Sequence, residues 1–204
     1  MTKRAKMTTM PGKLIVLYGI NNLGKSTQAK ILTRRLRQIG RPALYLKYPL
    51  YNLEPSGPLL NAYLRGGNPH NLSGREAQLL YALNRWQFQP RLVAALRRGY
   101  CIVAEDYVGT GLAWGLGAGV NKKFLLKINQ GLLTEDIAIL FEGQRFLQAR
   151  ENNHRHESDD ELTERVRLAH QYLGKKYGWR PINANLSIEE VAEQVWRIIG
   201  RCFK

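Results

Sequence analysis

The chain is poor in cysteine, histidine and acidic residues. Of its 204 residues only two are cysteines, Cys101 and Cys202, and four are histidines. Two cysteines make no disulfide framework, and no spaced set of Cys, His and carboxylate residues marks a resident metal centre. A reducing, cytoplasmic setting is the expectation. No apolar run approaches the roughly 20 residues that cross a bilayer, and the N-terminus has no apolar secretory core, so no membrane partner is expected. Sixteen Asp and Glu stand against 31 Lys and Arg, a formal charge of +15. Such a field attracts nucleotides, nucleic acids and acidic membranes alike, so charge alone does not choose among them.

What the chain does contain is Gly19-Ile20-Asn21-Asn22-Leu23-Gly24-Lys25-Ser26, followed by Thr27. This fits the phosphate-binding pattern G-x-x-x-x-G-K-S at every fixed position. An apolar run, Leu14–Tyr18, leads into it, and an amphipathic segment with Ala29, Ile31, Leu32, Leu36 and Ile39 leads out. Glycines let the backbone wrap a polyphosphate so that successive N–H groups face its oxygens. Gly19, Asn22, Leu23, Gly24, Lys25, Ser26 and Thr27 are thus the candidate ATP-binding residues. Lys25 would neutralise the β- and γ-phosphates, and the Ser26 hydroxyl would ligate Mg²⁺.

The rest reads as one α/β domain. Residues 1–11 are polar and basic, a disordered leader, and 12–204 form the nucleotide-binding domain. Strands are expected at 14–18, 43–48, 100–104, 137–141 and 181–184, giving a five-stranded parallel sheet flanked by helices in three layers. Ser73-x-x-Glu76 is a capping box opening a long helix whose apolar side is expected to carry Leu79, Leu80, Leu83 and Trp86. Pro90 is expected to kink or restart that helix. Glu105, Asp106 and Tyr107 arrive at the C-terminal end of the third strand, where open parallel sheets bind ligands. The glycines from 109 to 119 read as a flexible stretch with only Leu112, Ala113 and Trp114 packing. A polar segment at about 145–158 reads as a mobile lid. Ser158-x-x-Glu161 and Ser187-x-x-Glu190 are expected to cap the last two helices.

Taken together, Gly19–Thr27, Lys47-Tyr48-Pro49, Leu79-Leu80-Tyr81-Ala82-Leu83-Asn84-Arg85-Trp86, Glu105-Asp106-Tyr107, the basic stretch 150–157, Arg165-Val166-Arg167 with Tyr172-Leu173, and Ile182-Asn183-Ala184 resemble the thymidylate kinase family of P-loop nucleoside monophosphate kinases. The resemblance covers nearly the whole chain after the leader, and the Leu-Leu-Tyr-Ala-Leu-Asn-Arg-Trp segment is its most specific part. It implies transfer of the γ-phosphoryl group of ATP to dTMP, with Mg²⁺, in an enzyme that is usually a homodimer. It also implies that Tyr81 stacks on the acceptor base while Arg85 bonds its 4-oxo group. Family members without an arginine in the loop commonly supply one from the lid, which here offers Arg150 and Arg155.

Three positions depart from the family. Tyr18 replaces a glutamate, Asn21 replaces the acid that holds the acceptor sugar, and Asp106 replaces the arginine that holds the acceptor phosphate. Glu105 is then expected to hold Mg²⁺ through water, Lys47 to take the acceptor phosphate, and Asp106 either to line the acceptor site with Tyr107 or to orient Arg85 or a lid arginine. Two alternatives stand beside this reading. One is another pyrimidine monophosphate kinase or a deoxynucleoside kinase, in the latter of which Glu105 accepts a proton from a 5′-hydroxyl. The other is a nucleic-acid-associated ATP-binding protein, which the charge permits but does not favour.

Overall fold

A computed structural model describes residues 11–146 and 159–203. Five strands, β1 (Leu14–Tyr18), β2 (Ala43–Lys47), β3 (Cys101–Glu105), β4 (Ile137–Glu142) and β5 (Arg180–Asn183), form one sheet in the order β2-β3-β1-β4-β5. All four pairings are parallel. β1 and β3 are buried along their whole length, which is why Leu14–Tyr18 and the first four residues of β3 read as unbroken apolar runs. The strands therefore end together at one edge. Leu17 pairs with Glu105, Glu105 with Lys47, and Tyr18 with Leu140. At β1 the connections diverge to either side, the position where an open parallel sheet leaves a crevice beyond its strand ends.

Seven helices cover the sheet among the described residues: α1 (Lys25–Gln38), α2 (Ser56–Arg65), α3 (Gly74–Arg97), α4 (Val108–Gly117), α5 (Lys122–Asn129), α6 (Asp160–Tyr177) and α7 (Ile188–Ile199). The capping boxes of α3 and α7 form as expected, on Ser73 with Glu76 and Ser187 with Glu190. For α6 the cap is Asp159, whose side chain accepts from Leu162 N at 2.8 Å. Ser158 lies outside the described residues.

Three expectations are corrected. First, α3 does not restart at Pro90 but continues through it as one helix. Past that point Leu92 is buried, and the Gln89 side chain is anchored to Gly131 O and Leu133 N, so tertiary contacts hold the helix where its own hydrogen bond is lost. Second, α3 is turned over. Leu79, Leu83 and Trp86 are exposed at 45%, 40% and 38%, while Ala77, Gln78, Ala82, Asn84 and Arg85 are buried. The inward face is polar because it meets a cavity rather than a core.

Third, the glycine stretch is the helix α4, buried along most of its length. Its glycines are points of close approach. A Cβ on Gly109 would stand 2.5 Å from the Trp179 ring, and one on Gly111 would stand 2.8 Å from the Arg85 guanidinium. Helix α5 follows, capped by Asn121, whose side chain accepts from Phe124 N.

Candidate functional site

The loop between β1 and α1 takes the conformation its glycines allow. Gly19 has φ 134° and Gly24, the N-cap of α1, has φ 75°. Asn22 also adopts a left-handed φ of 62°, and its carbonyl accepts from Phe146 N at 2.9 Å. Asn21, Asn22, Gly24, Lys25, Ser26 and Thr27 line one end of a cavity of about 290 Å³. Gly19 and Leu23 do not line it. Leu23 is buried in the core, so only its backbone can serve a ligand.

Lys25 is 4% exposed. Its Nζ donates to Gly19 O at 2.9 Å and Ile20 O at 2.7 Å, and lies 3.7 Å from Asp106 Oδ1. The Ser26 hydroxyl donates to Glu105 at 2.7 and 2.9 Å. The Tyr45 hydroxyl donates to the same carboxylate at 2.6 Å, and Lys47 Nζ lies 3.1 Å away. Burial pushes the Glu105 carboxyl up, but Lys25, Lys47, Tyr45 and Ser26 outweigh it and hold the group below the usual glutamate range. Asp106 goes the other way. Burial and the neighbouring Glu105 charge raise it, against Lys25, Lys47 and a hydrogen bond from Thr110 Oγ1 at 2.9 Å. Asp106 does not orient Arg85. It faces Lys25, in a left-handed conformation of φ 61° that aspartate tolerates.

The far end of the same cavity is made by α3 and α4. Tyr81 and Arg85 line it, one turn apart on the buried side of α3, with Gln78, Asn84, Tyr48, Tyr107 and Trp114. Tyr81 is half-buried. Arg85 is 3% exposed, and its Nη2 donates to Asn129 Oδ1 at 2.9 Å. Its other contact, to Tyr107 O, is long at 3.5 Å. Burial pulls its guanidinium down to about 10, so it stays charged at neutral pH. Four buried polar atoms of this wall have no partner among the described residues: Gln78 Oε1, Tyr48 Oη, Tyr107 Oη and Arg85 Nε. Each such atom costs about 1–3 kcal/mol unless something satisfies it.

Asn84, fully buried, fixes the mouth. Its amide spans Leu50 N, Leu50 O and the Ser56 hydroxyl, tying the loop after β2 to α3. Sequence reasoning missed Gln78, Asn84, Tyr45 and Thr110. Tyr45 could have been found, because strand alternation places it on the same face as Lys47. Tyr18, one of the departures, does not line the cavity. It is buried against Trp179 at 4.0 Å, donates to Glu135 and accepts from Gly109 N, which makes it a core residue. Arg150 and Arg155 lie outside the described residues. Among the described residues, no group of three or more His, Cys, Asp or Glu could hold a metal, and no helix is long and apolar enough to cross a membrane.

A parallel sheet whose first strand delivers a glycine-rich loop, a buried lysine and a hydroxyl paired with a carboxylate from a neighbouring strand defines a P-loop nucleotide kinase fold. The family described as thymidylate kinase matches residues 17–195. The human thymidylate kinase is 29% identical over 197 residues, covering 93% of this chain and 90% of its own. The probable thymidylate kinase of Pyrococcus abyssi is 29% identical over 201 residues, covering 93% and 97%. The solved thymidylate kinase from Candida albicans superposes with a TM-score of 0.81 at 26% identity, covering 94% and 92%. The chain belongs to the thymidylate kinase family.

Proposed function

We propose that this chain transfers the γ-phosphoryl group of ATP to dTMP, giving ADP and dTDP. The observation that carries this reading is a single cavity with the phosphate-binding loop at one end and Tyr81 with Arg85 at the other. Donor and acceptor can thus meet at Lys25. The loop amides and Lys25, itself 4% exposed, hold the triphosphate. Arg85, with five donors and no acceptor, suits the 4-oxo group of thymine and rejects a 4-amino group. Tyr81 offers its ring to the base, a contact worth about 1–3 kcal/mol elsewhere.

The donor set of Ser26 and Glu105 fits Mg²⁺, a hard cation that takes one or two protein oxygens and completes its shell with water and phosphate. When bound, that cation neutralises charge on the transferring phosphate. Glu105 positions the Ser26 hydroxyl, and Tyr45 and Lys47 position Glu105. Arg150 and Arg155 would complete the site from the lid. The free thiols of Cys101 and Cys202 fit the cytoplasmic setting expected above.

The test is a coupled ATP/Mg²⁺ transfer assay with dTMP on wild type and Lys25→Ala. Wild type should turn over dTMP, and the variant should lose at least about a thousandfold in kcat while melting at the same temperature. Equal rates in the two proteins would overturn the reading.

The same family reading includes a homodimer, and the exposed face of α3 supports it. Leu79, Leu83, Trp86, Pro90 and Val93 recur at spacings of four and three, the seam that two helices pack along. Leu83→Glu should convert a dimer to a monomer in sedimentation equilibrium. A monomeric wild type would rule this face out.

A further inference from the structure

Where the phosphate-binding loop meets the acceptor cavity, the described side chains carry two positive and two negative charges. Lys47 is drawn to Glu105 at 3.1 Å, and Lys25 lies 3.7 Å from Asp106. The remaining cations of the cavity are engaged elsewhere: Arg65 stands 4.7 Å from the centre of the Tyr51 ring, and Arg85 donates to Asn129. A monophosphate dianion placed at this junction meets the Asp106 carboxylate, which lines the cavity beside Lys25. A neutral hydroxyl brings no charge to it.

The two carboxylates are not equivalent. Both oxygens of Glu105 are occupied, by Ser26, Tyr45 and Lys47. Asp106 takes the Thr110 hydroxyl on Oδ1, and among the described residues no donor reaches its Oδ2. Asp106 therefore has an oxygen to offer to a ligand hydroxyl, beside the lysine of the phosphate-binding loop.

We propose that this site has a second acceptor class, the unphosphorylated pyrimidine nucleoside, and that Asp106 is the catalytic residue that receives its 5′-hydroxyl. The base sits on Tyr81 and Arg85 as dTMP does, so the inference rests on the donor and base halves of the function proposed above. In the step, the 5′-oxygen bonds to the γ-phosphorus as the bond from that phosphorus to the β,γ-bridging oxygen breaks. The hydroxyl proton passes to the Asp106 carboxylate, and the bridging oxygen leaves with ADP. The products are a nucleoside 5′-monophosphate and ADP. The corresponding expectation from sequence places this proton on Glu105, whose two oxygens here meet Ser26, Tyr45 and Lys47.

The experiment follows label from γ-³²P-ATP into thymidine and dTMP, resolved by chromatography, for wild type, Asp106→Asn and Thr110→Val. Asparagine tolerates the left-handed backbone at this position, and thermal melts of each variant check the fold. Wild type should label both acceptors. Asp106→Asn should lose at least about a hundredfold of the thymidine rate, the size of a general-base contribution. The same change should raise dTMP kcat/KM about tenfold, the size of one screened charge pair. Thr110→Val, which leaves the carboxylate but removes its tether, should reduce thymidine transfer less than Asp106→Asn. Wild-type transfer to dTMP with none to thymidine would overturn the second acceptor class and leave the proposed function standing. Thymidine transfer that survives Asp106→Asn would overturn the role of Asp106. No transfer to either acceptor would overturn both readings.

Discussion

At the scale of single residues, Arg85 is held between protein and ligand. One nitrogen is committed to Asn129, another is buried without a partner, and Gly111 leaves room for the fork beneath it. A lysine keeps the charge but not the fork, so it cannot satisfy Asn129 and a base carbonyl together. Arg85→Lys is therefore expected to raise the KM for dTMP about 10–100-fold, the range of one hydrogen bond to a charged group, with a smaller change in kcat. Initial-rate kinetics over a range of dTMP concentrations checks it, and an unchanged KM would place the base elsewhere. Ser26 is the second such residue, because its hydroxyl is the contact Glu105 orients. Ser26→Ala should move the Mg²⁺ titration midpoint at least about tenfold higher, read from the rate at fixed ATP.

At the scale of elements, α4 explains how so polar a wall is built inside the fold. A helix with side chains at 109, 111, 115 and 117 could not approach α3, α5 and α6 as closely as this one does. The Trp179 ring, the Arg85 guanidinium, Leu125 and Val166 occupy the space those side chains would fill. Gly111→Ala is expected to force Arg85 or the helix aside, destabilising the protein by about 1–3 kcal/mol, the usual cost of overpacking. The same change should weaken dTMP binding, because the displaced group is the base contact. Urea denaturation together with dTMP titration separates the two effects. Loss of stability with unaltered affinity would show that α4 yields and Arg85 does not.

At the scale of the whole molecule, stability should depend on pH through a histidine buried on α6 behind the phosphate-binding loop. His170 is 1% exposed on α6, with Nδ1 against Val166 O at 3.0 Å and Nε2 unpartnered. Burial, more than any other cause, depresses it to about 3 in the fold. The unfolded chain binds a proton near pH 6.5 and the folded chain does not, so the unfolded state holds more protons between these values. Stability is thus complete above pH 6.5 and falls by about 1.4 kcal/mol per unit as the pH drops toward 3. Melting temperatures recorded from pH 7 to pH 5 should fall in the wild type and fall less steeply in His170→Gln. Parallel slopes would assign the acid sensitivity to other groups.

The chain's own order of residues determined the sheet, the phosphate-binding loop and the capping boxes of α3 and α7. Each of these is local: a buried parallel strand must be apolar along its length, the loop needs its glycines at set intervals, and a cap is written within four residues. Lys25, Ser26 and Glu105 were legible for the same reason, since they sit at strand ends or in the loop itself. The direction in which α3 faces was not. Its outward stripe of Leu79, Leu83 and Trp86 is the more hydrophobic side, and only the position of α4 shows that the polar side turns inward to line a cavity. The partners of Asp106 were equally hidden, because Lys25 and Thr110 reach it from a different loop and from the next helix. Periodicity reports how apolar a face is. What that face meets is set by chain segments far away in sequence, and here those segments decide which residues form the acceptor site.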